Sequence, residues 1–284
     1  MMGQGMNPRV QVLITAEELG RQLAAGEQVS VLAVRNGPGA FGTVPRVPGA
    51  VDVDLPCELA GLGGGTAGSR PLPEIAALQA SARRWGLRIG VPVVLYDHDR
   101  CLVAARGWWV LRWAGLGDVR LLDGGFPAWE AAGLPMAASP GMPTPGDVTL
   151  TPGHLPVLDA DGAAAMAHDG VLLDTRVRVN YIGGAVPAGA PRRGHIPGSV
   201  SAPAADALKE DGRFADAETL RHLFGALGAD GSRPVGFSCG AGISAAHGVA
   251  ALASIGVAAA MFPGSWSAWA ADLARPVVVG ARPG

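Results

Sequence analysis

Short apolar runs alternate with longer segments of helical periodicity along this chain. Val29 to Val34, Val91 to Tyr96 and Val119 to Leu122 are brief and rich in valine and leucine, as buried strands are. Glu74 to Trp85 and Leu102 to Ala114 read as helices. Further on, Pro234 to Phe237 reads as a strand and Ala245 to Ile255 as a helix. Such alternation implies an α/β fold, a parallel sheet flanked by helices, with the functional site beyond the carboxyl ends of the strands. The most apolar stretch, Ala245 to Phe262, is interrupted by His247 and Gly256. It reads as a buried helix and then a buried strand, not as a membrane span.

The pattern occurs twice. Val31-Leu32-Ala33-Val34-Arg35 returns as Leu172-Leu173-Asp174-Thr175-Arg176, and Val47-Pro48-Gly49-Ala50-Val51 as Ile196-Pro197-Gly198-Ser199-Val200. Val93-Val94-Leu95-Tyr96-Asp97 returns as Val235-Gly236-Phe237-Ser238-Cys239. Leu122-Asp123-Gly124-Gly125-Phe126-Pro127-Ala128-Trp129 matches Phe262-Pro263-Gly264-Ser265-Trp266-Ser267-Ala268-Trp269. The four offsets lie between 140 and 149 residues and the order is kept, so the 284 residues are expected to form two homologous halves. Residues 1–136 and 157–284 are the expected domains. Residues 137–156 join them, within a stretch from Pro135 to Pro156 that holds six prolines and reads as a semi-rigid linker over the surface.

With 49% hydrophobic and 16% charged residues, sizeable cores can be buried. A net charge of −2 gives no electrostatic case for nucleic acid or an anionic membrane. Cys57, Cys101 and Cys239 are an odd, low count, which argues for a reducing compartment over a disulfide framework. Met1 to Arg9 has no positive patch leading into an apolar run, so no signal peptide is expected and the protein is placed in the cytoplasm. No spacing of His, Cys or carboxylates suits a metal, and no cofactor is expected.

The chemistry points to Ser238-Cys239-Gly240-Ala241-Gly242-Ile243-Ser244. A thiol between a strand and a helix, on a six-position loop spaced by glycines, sits over a helix N-terminus. Converging amides and the helix dipole lower its pKa and hold an anion there. Cys239 is therefore the expected nucleophile, ionised, accessible and cradled by the amides of Gly240, Ala241, Gly242, Ile243 and Ser244. Ser244 is read first as a cap of the following helix. Cys101 reads as a surface or half-buried bystander, Cys57 as filler, and His195 as an architectural residue. Asp174 and Arg176 read as a structural pair. Trp266 and Trp269 are expected mainly to pack, with one of them able to wall the pocket.

These segments resemble the tandem-domain rhodanese family, which includes thiosulfate and 3-mercaptopyruvate sulfurtransferases. The carrying motifs are Asp174-Thr175-Arg176, Gly194-His195-Ile196-Pro197-Gly198, the Cys239 loop with Ala245, and Pro263 to Trp269. The resemblance implies two rhodanese-like domains, the second catalytic through a Cys239 persulfide. The first is silent, because Asp97 stands where the cysteine would be. A six-residue loop implies sulfur handling; a longer one would make room for phosphate or arsenate. The implied partners are a small sulfur donor and an acceptor that is a thiol, cyanide or a sulfur-carrier protein.

The small residues of Gly240-Ala241-Gly242 look like those of mercaptopyruvate-type members. That type carries two donor-binding arginines where this chain has Asn180 and Ala188, a serine where it has Ala241, and a histidine where it has Arg70; the family's aspartate aligns with Asp54. Arg70, Arg178, Arg192 and Arg193 are the candidates for a replacement anion clamp, of which Arg70, Arg178 and Arg193 are assigned to donor binding. A degenerate module that binds a partner or relays sulfur is the alternative reading.

Overall fold

The computed structural model describes residues 7–37, 44–184 and 191–284. The first half is a five-stranded parallel sheet of β1 (Leu13–Ile14), β2 (Ser30–Arg35), β3 (Val51–Asp54), β4 (Val93–Tyr96) and β5 (Val119–Leu122), in the order β1-β5-β4-β2-β3. The second is a four-stranded parallel sheet of β6 (Val171–Asp174), β7 (Val200–Ser201), β8 (Val235–Ser238) and β9 (Ala260–Met261), in the order β7-β6-β8-β9. Beside β9, Val157 bridges Met261 in parallel, at the place β1 takes in the first sheet. The central strands of both sheets are buried along their length, as apolar runs between two helical layers must be.

The helices of the first half are α1 (Pro8–Val12), α2 (Ala16–Ala24), α3 (Leu55–Glu58), α4 (Ile75–Arg84), α5 (Ala104–Trp113) and α6 (Gly125–Ala131). The second half has α7 (Ala160–Asp169), α8 (Arg178–Ile182), α9 (Ala217–Ala226), α10 (Ser244–Ala253) and α11 (Ser265–Ala271). Their starts follow side-chain caps where the sequence supplies them: Thr15 accepts from Glu18 N–H, Asp159 from Gly162 N–H, and Asp216 from Glu218 and Thr219 N–H. No side chain caps α10 or α5 from its N-cap position, and those two ends face the paired loops described below.

α5 and α10 are the matching helices of the two halves and pack against each other. One core cluster runs through them from Leu32, Leu95 and Trp109 to Leu173, Phe237 and Leu252, so the halves share an interior. Each outer sheet face has a smaller core of its own, around Tyr96 and Trp129 in the first half and Leu172 and Trp269 in the second.

The proline-rich joint runs over the surface, pinned along the first half, with two side chains turned inward. Gly146 donates to the Arg83 carbonyl (2.7 Å), Leu150 to Gln79 Oε1 (2.9 Å) and Thr151 to the Ala114 carbonyl (3.1 Å). Val148 and Leu150 enter the shared core. The reason is local: residues 147–150 alternate polar and apolar, so a chain pinned along the first half turns its apolar side chains inward.

His247, on α10, is fully buried and stacks on Phe214 with ring centroids 4.4 Å apart. Neither ring nitrogen has a partner among the described residues, and burial pushes its pKa down to about 3. The unfolded chain takes up this proton below about pH 6.5 and the folded chain does not. Stability is therefore expected to fall by about 1.4 kcal/mol per pH unit on acidification through that range. Urea denaturation at several pH values checks this. His247→Leu should remove one proton's worth of the slope; an unchanged slope would contradict the burial account.

Candidate active site

β8 ends at Ser238, and Cys239 opens the turn into α10. The turn is anchored from α11: Trp266 N–H donates to the Cys239 carbonyl and Ser267 N–H to the Gly240 carbonyl, both at 2.9 Å. The Cys239 amide donates to Ser265 Oγ (3.1 Å). The Gly242 amide points at Sγ of Cys239 over 3.0 Å. Gly242 has φ +71°, and a Cβ there would lie 2.6 Å from the Pro263 carbonyl oxygen, so only glycine fits. The amides of Gly240, Ala241, Ile243 and Ser244 have no acceptor among the described residues.

Two expectations need correction. Cys239 is only 2% exposed, so the residue is almost wholly covered where free access was expected. Ser244 is the first residue of α10 and does not cap it; its hydroxyl pairs with Thr175 Oγ1 at 3.0 Å.

The first half shows the same turn in a filled state. The Asp97 carboxylate accepts the amides of Asp99 (2.7 Å) and Cys101 (2.9 Å) on Oδ1, and those of Val103 and Ala104 (2.7 Å each) on Oδ2. Burial pushes this carboxyl up from its ordinary value and the four amides oppose that. α5 is thus closed at its start by an anion carried on the chain itself.

Beside Gly240 lies a cavity of about 340 Å³, lined by Arg176, Val179, Asn180, Gly183, Arg193, Gly240 and Trp266. Arg176 is tied to Asp174 (2.6 Å) and to the Gly194 carbonyl (2.8 Å), and its guanidinium lies 4.7 Å over the Trp266 ring. Arg193 lines the cavity with no hydrogen-bond partner among the described residues. Arg178 is exposed and outside that lining. Arg192 is spent on the Asp272 and Arg275 carbonyls. Arg70 is half-buried on a loop of the first half that reaches α11, where Ser69 N–H donates to Ser267 Oγ (2.9 Å). Asn180 lies in the cavity wall, and Ala188 lies outside the described residues.

Two further side chains at this site belong to none of the candidates named from the sequence. Ser265 is buried with φ +52°, donates to the Phe262 carbonyl (2.7 Å) and stands 3.7 Å from Sγ. The repeat held its signal: the matching residue in the first half is Gly125, also left-handed at φ +63°. Arg106, on α5, is fully buried and donates to the Gly242 carbonyl (3.2 Å) across the domain interface. Its signal was a lone arginine among the apolar residues that begin α5.

The remaining candidates lie elsewhere. His195 is buried, with both ring nitrogens on carbonyls of Tyr181 and Arg282. Cys101, expected at or near the surface, is fully buried. Its thiol donates to the Leu122 carbonyl, and burial, then Asp97 and Asp123, push its pKa well up. Cys57 is exposed, and its hydrogen bond to Asp54 raises its pKa. Among the described residues no group of His, Cys, Asp and Glu could hold a metal ion, and no helix is long and apolar enough to cross a membrane.

The signature of the rhodanese-like domain matches residues 15–132 and again 159–272. The chain is 44% identical to a putative thiosulfate sulfurtransferase, SseB, of Mycobacterium tuberculosis, over 96% of this chain and 98% of that one. It is 40% identical to a probable 3-mercaptopyruvate sulfurtransferase of Pseudomonas aeruginosa, over 83% and 84% of the two chains. The solved structure of a 3-mercaptopyruvate sulfurtransferase from Leishmania major superposes with a TM-score of 0.75 at 25% identity, over 90% of this chain and 73% of that one.

Proposed function

The chain belongs to the rhodanese family, and from that premise we propose that it is a sulfurtransferase carrying a sulfane sulfur on Cys239. The donor is thiosulfate or 3-mercaptopyruvate; the acceptor is a thiol, cyanide or a sulfur-carrier protein. The observation that carries this reading is the pairing of the two turns. In Asp97 the charged oxygens stand two bonds beyond Cβ, and four amides hold them. In a cysteine persulfide the terminal sulfur also stands two bonds beyond Cβ. The second turn has a cysteine at the matching position and four amides with no acceptor among the described residues, so it is built to receive that terminal sulfur as an anion.

The chemistry follows in two displacements. The Cys239 thiolate attacks the outer sulfur of thiosulfate; the S–S bond breaks and sulfite leaves with the electron pair. With 3-mercaptopyruvate the C–S bond breaks instead, and the carbon takes the pair and then a proton. The acceptor next attacks the terminal sulfur of the persulfide, and Cys239 leaves as thiolate, ready for another turn. Splitting one transfer into two is what a covalent intermediate achieves. The donor approaches from the cavity over Gly240, around whose Cβ position no atom lies within 4 Å. Formation of thiocyanate from cyanide, with each donor in turn, tests the proposal and ranks the donors.

Arg193 is the cavity cation with no hydrogen-bond partner among the described residues. Arg193→Ala is expected to raise KM for an anionic donor about tenfold with little change in kcat, the loss of one charge-assisted contact made equally in ground and transition states. Steady-state kinetics with both donors would show it. An unmoved KM for both would place donor binding elsewhere.

A further inference from the structure

We propose that Arg106, from the half whose turn carries Asp97 at the position matching Cys239, positions the catalytic turn and supplies the cation that faces the Cys239 sulfur. This rests on Cys239 being the sulfur carrier. Arg106 is a fully buried guanidinium whose hydrogen bonds all go to backbone carbonyls: Leu59 (3.3 Å), Arg70 (3.2 Å), Pro71 (3.1 Å) and Gly242 (3.2 Å). Among the described residues no carboxylate bonds to it. A buried cation without an anion is costly and persists where something nearby supplies negative charge. Burial pushes the Arg106 pKa down to about 10, and the group that opposes the fall is Cys239.

The geometry joins the two through one residue. Gly242 gives its carbonyl to Arg106 Nη1 and its amide to Sγ. Arg106 thereby holds Gly242 in the left-handed conformation that turns the amide toward sulfur. The same guanidinium fastens the loop of Leu59 to Pro71 against the active turn, so the first half closes one side of the site.

The repeat provides an internal contrast. Position 106 on α5 corresponds to position 247 on α10, 141 residues on, within the spacing of the other repeat markers. There the residue is His247, held neutral by burial. At this position the helix of the half with the reactive sulfur thus carries an uncharged side chain, and the helix of the other half carries the cation that bonds to the reactive turn. The other charged groups around the pair are few. Arg70 opposes Arg106. Arg193 stands at the cavity beside Arg176, which is spent on Asp174. α11 brings only the hydroxyls of Ser265 and Ser267.

The test is the pH dependence of iodoacetamide alkylation, read by mass spectrometry on the peptide that contains Cys239, alongside kcat. Alkylation reports thiol ionisation without turnover. Arg106→Gln removes the charge and is expected to raise the alkylation midpoint by about one pH unit or more, as loss of a close opposite charge does. Arg106→Lys keeps the charge and loses the planar fork, so the midpoint should stay within about half a unit while kcat falls about tenfold. An unmoved midpoint in a folded Arg106→Gln protein, or wild-type kcat in Arg106→Lys, overturns the proposal. A readout on the unaltered protein guards against misfolded variants. The ¹⁵N guanidinium resonance of Arg106 should shift through the Cys239 midpoint, and a flat response overturns the proposal. Failure of the parent reading looks different: the wild-type protein would take up no sulfur from either donor, whatever Arg106 does to alkylation.

Discussion

Cys239→Ser is expected to lower sulfur transfer by about 10⁴-fold or more, because a hydroxyl cannot form the persulfide on which both displacements depend. The substitution is gentle on the fold. Serine is close in size, the Gly242 amide that points at sulfur gains an oxygen acceptor, and the anchoring bonds from Trp266 and Ser267 go to backbone carbonyls. Thiocyanate formation should therefore vanish while the melting temperature stays near that of the wild type. Substantial transfer by the serine protein would mean that another thiol carries the sulfur. Cys101 is a poor substitute, being fully buried with a raised pKa, and Cys57 lies exposed on α3, outside the cavity lining.

Asp97→Ala should have the opposite profile. It removes the acceptor of four amides at the start of α5, in a position only 2% exposed. Donors left unpaired in such a place cost the protein about 3–5 kcal/mol, partly offset by the desolvation the carboxylate no longer suffers. Urea denaturation would register the loss. The protein that remains folded should transfer sulfur at a rate within about threefold of wild type, since Asp97 touches neither the Cys239 turn nor the cavity. A kinetic loss comparable to that of Cys239→Ser would show that the first half takes part in the chemistry through this residue. The turn of the first half is occupied by its own carboxylate, while Arg106 of that half bonds to the Cys239 turn.

Much of this was legible in the chain. The strand runs ending at Tyr96, Leu122 and Phe237 fall within a residue or two of β4, β5 and β8. They are short, apolar and bounded by turns, so one physical pattern decides them. The doubling was visible because corresponding residues serve the same packing. Gly107 and Gly248, 141 residues apart, let α5 and α10 press against Leu95 and Phe237, where a Cβ would come within 2.6 Å. What escaped was whatever depends on the halves meeting. Arg106 sits on a helix that reads as core, and only the interface reveals that its partner is Gly242. The burial of Val148 and Leu150 was masked by the prolines around them. Ser244 has the composition of a cap but is drawn to Thr175, a contact between residues far apart in sequence. Among the arginines, both exposed, charge alone could not separate Arg193, which lines the cavity, from Arg178, which does not.

The most direct test is an intact mass measurement after incubation with thiosulfate or 3-mercaptopyruvate, followed by peptide mapping. The expected result is a gain of one sulfur atom, located on the peptide that contains Cys239, removed by cyanide and absent in Cys239→Ser. A protein that gains no sulfur from either donor, or that carries it on Cys57 or Cys101, would contradict it.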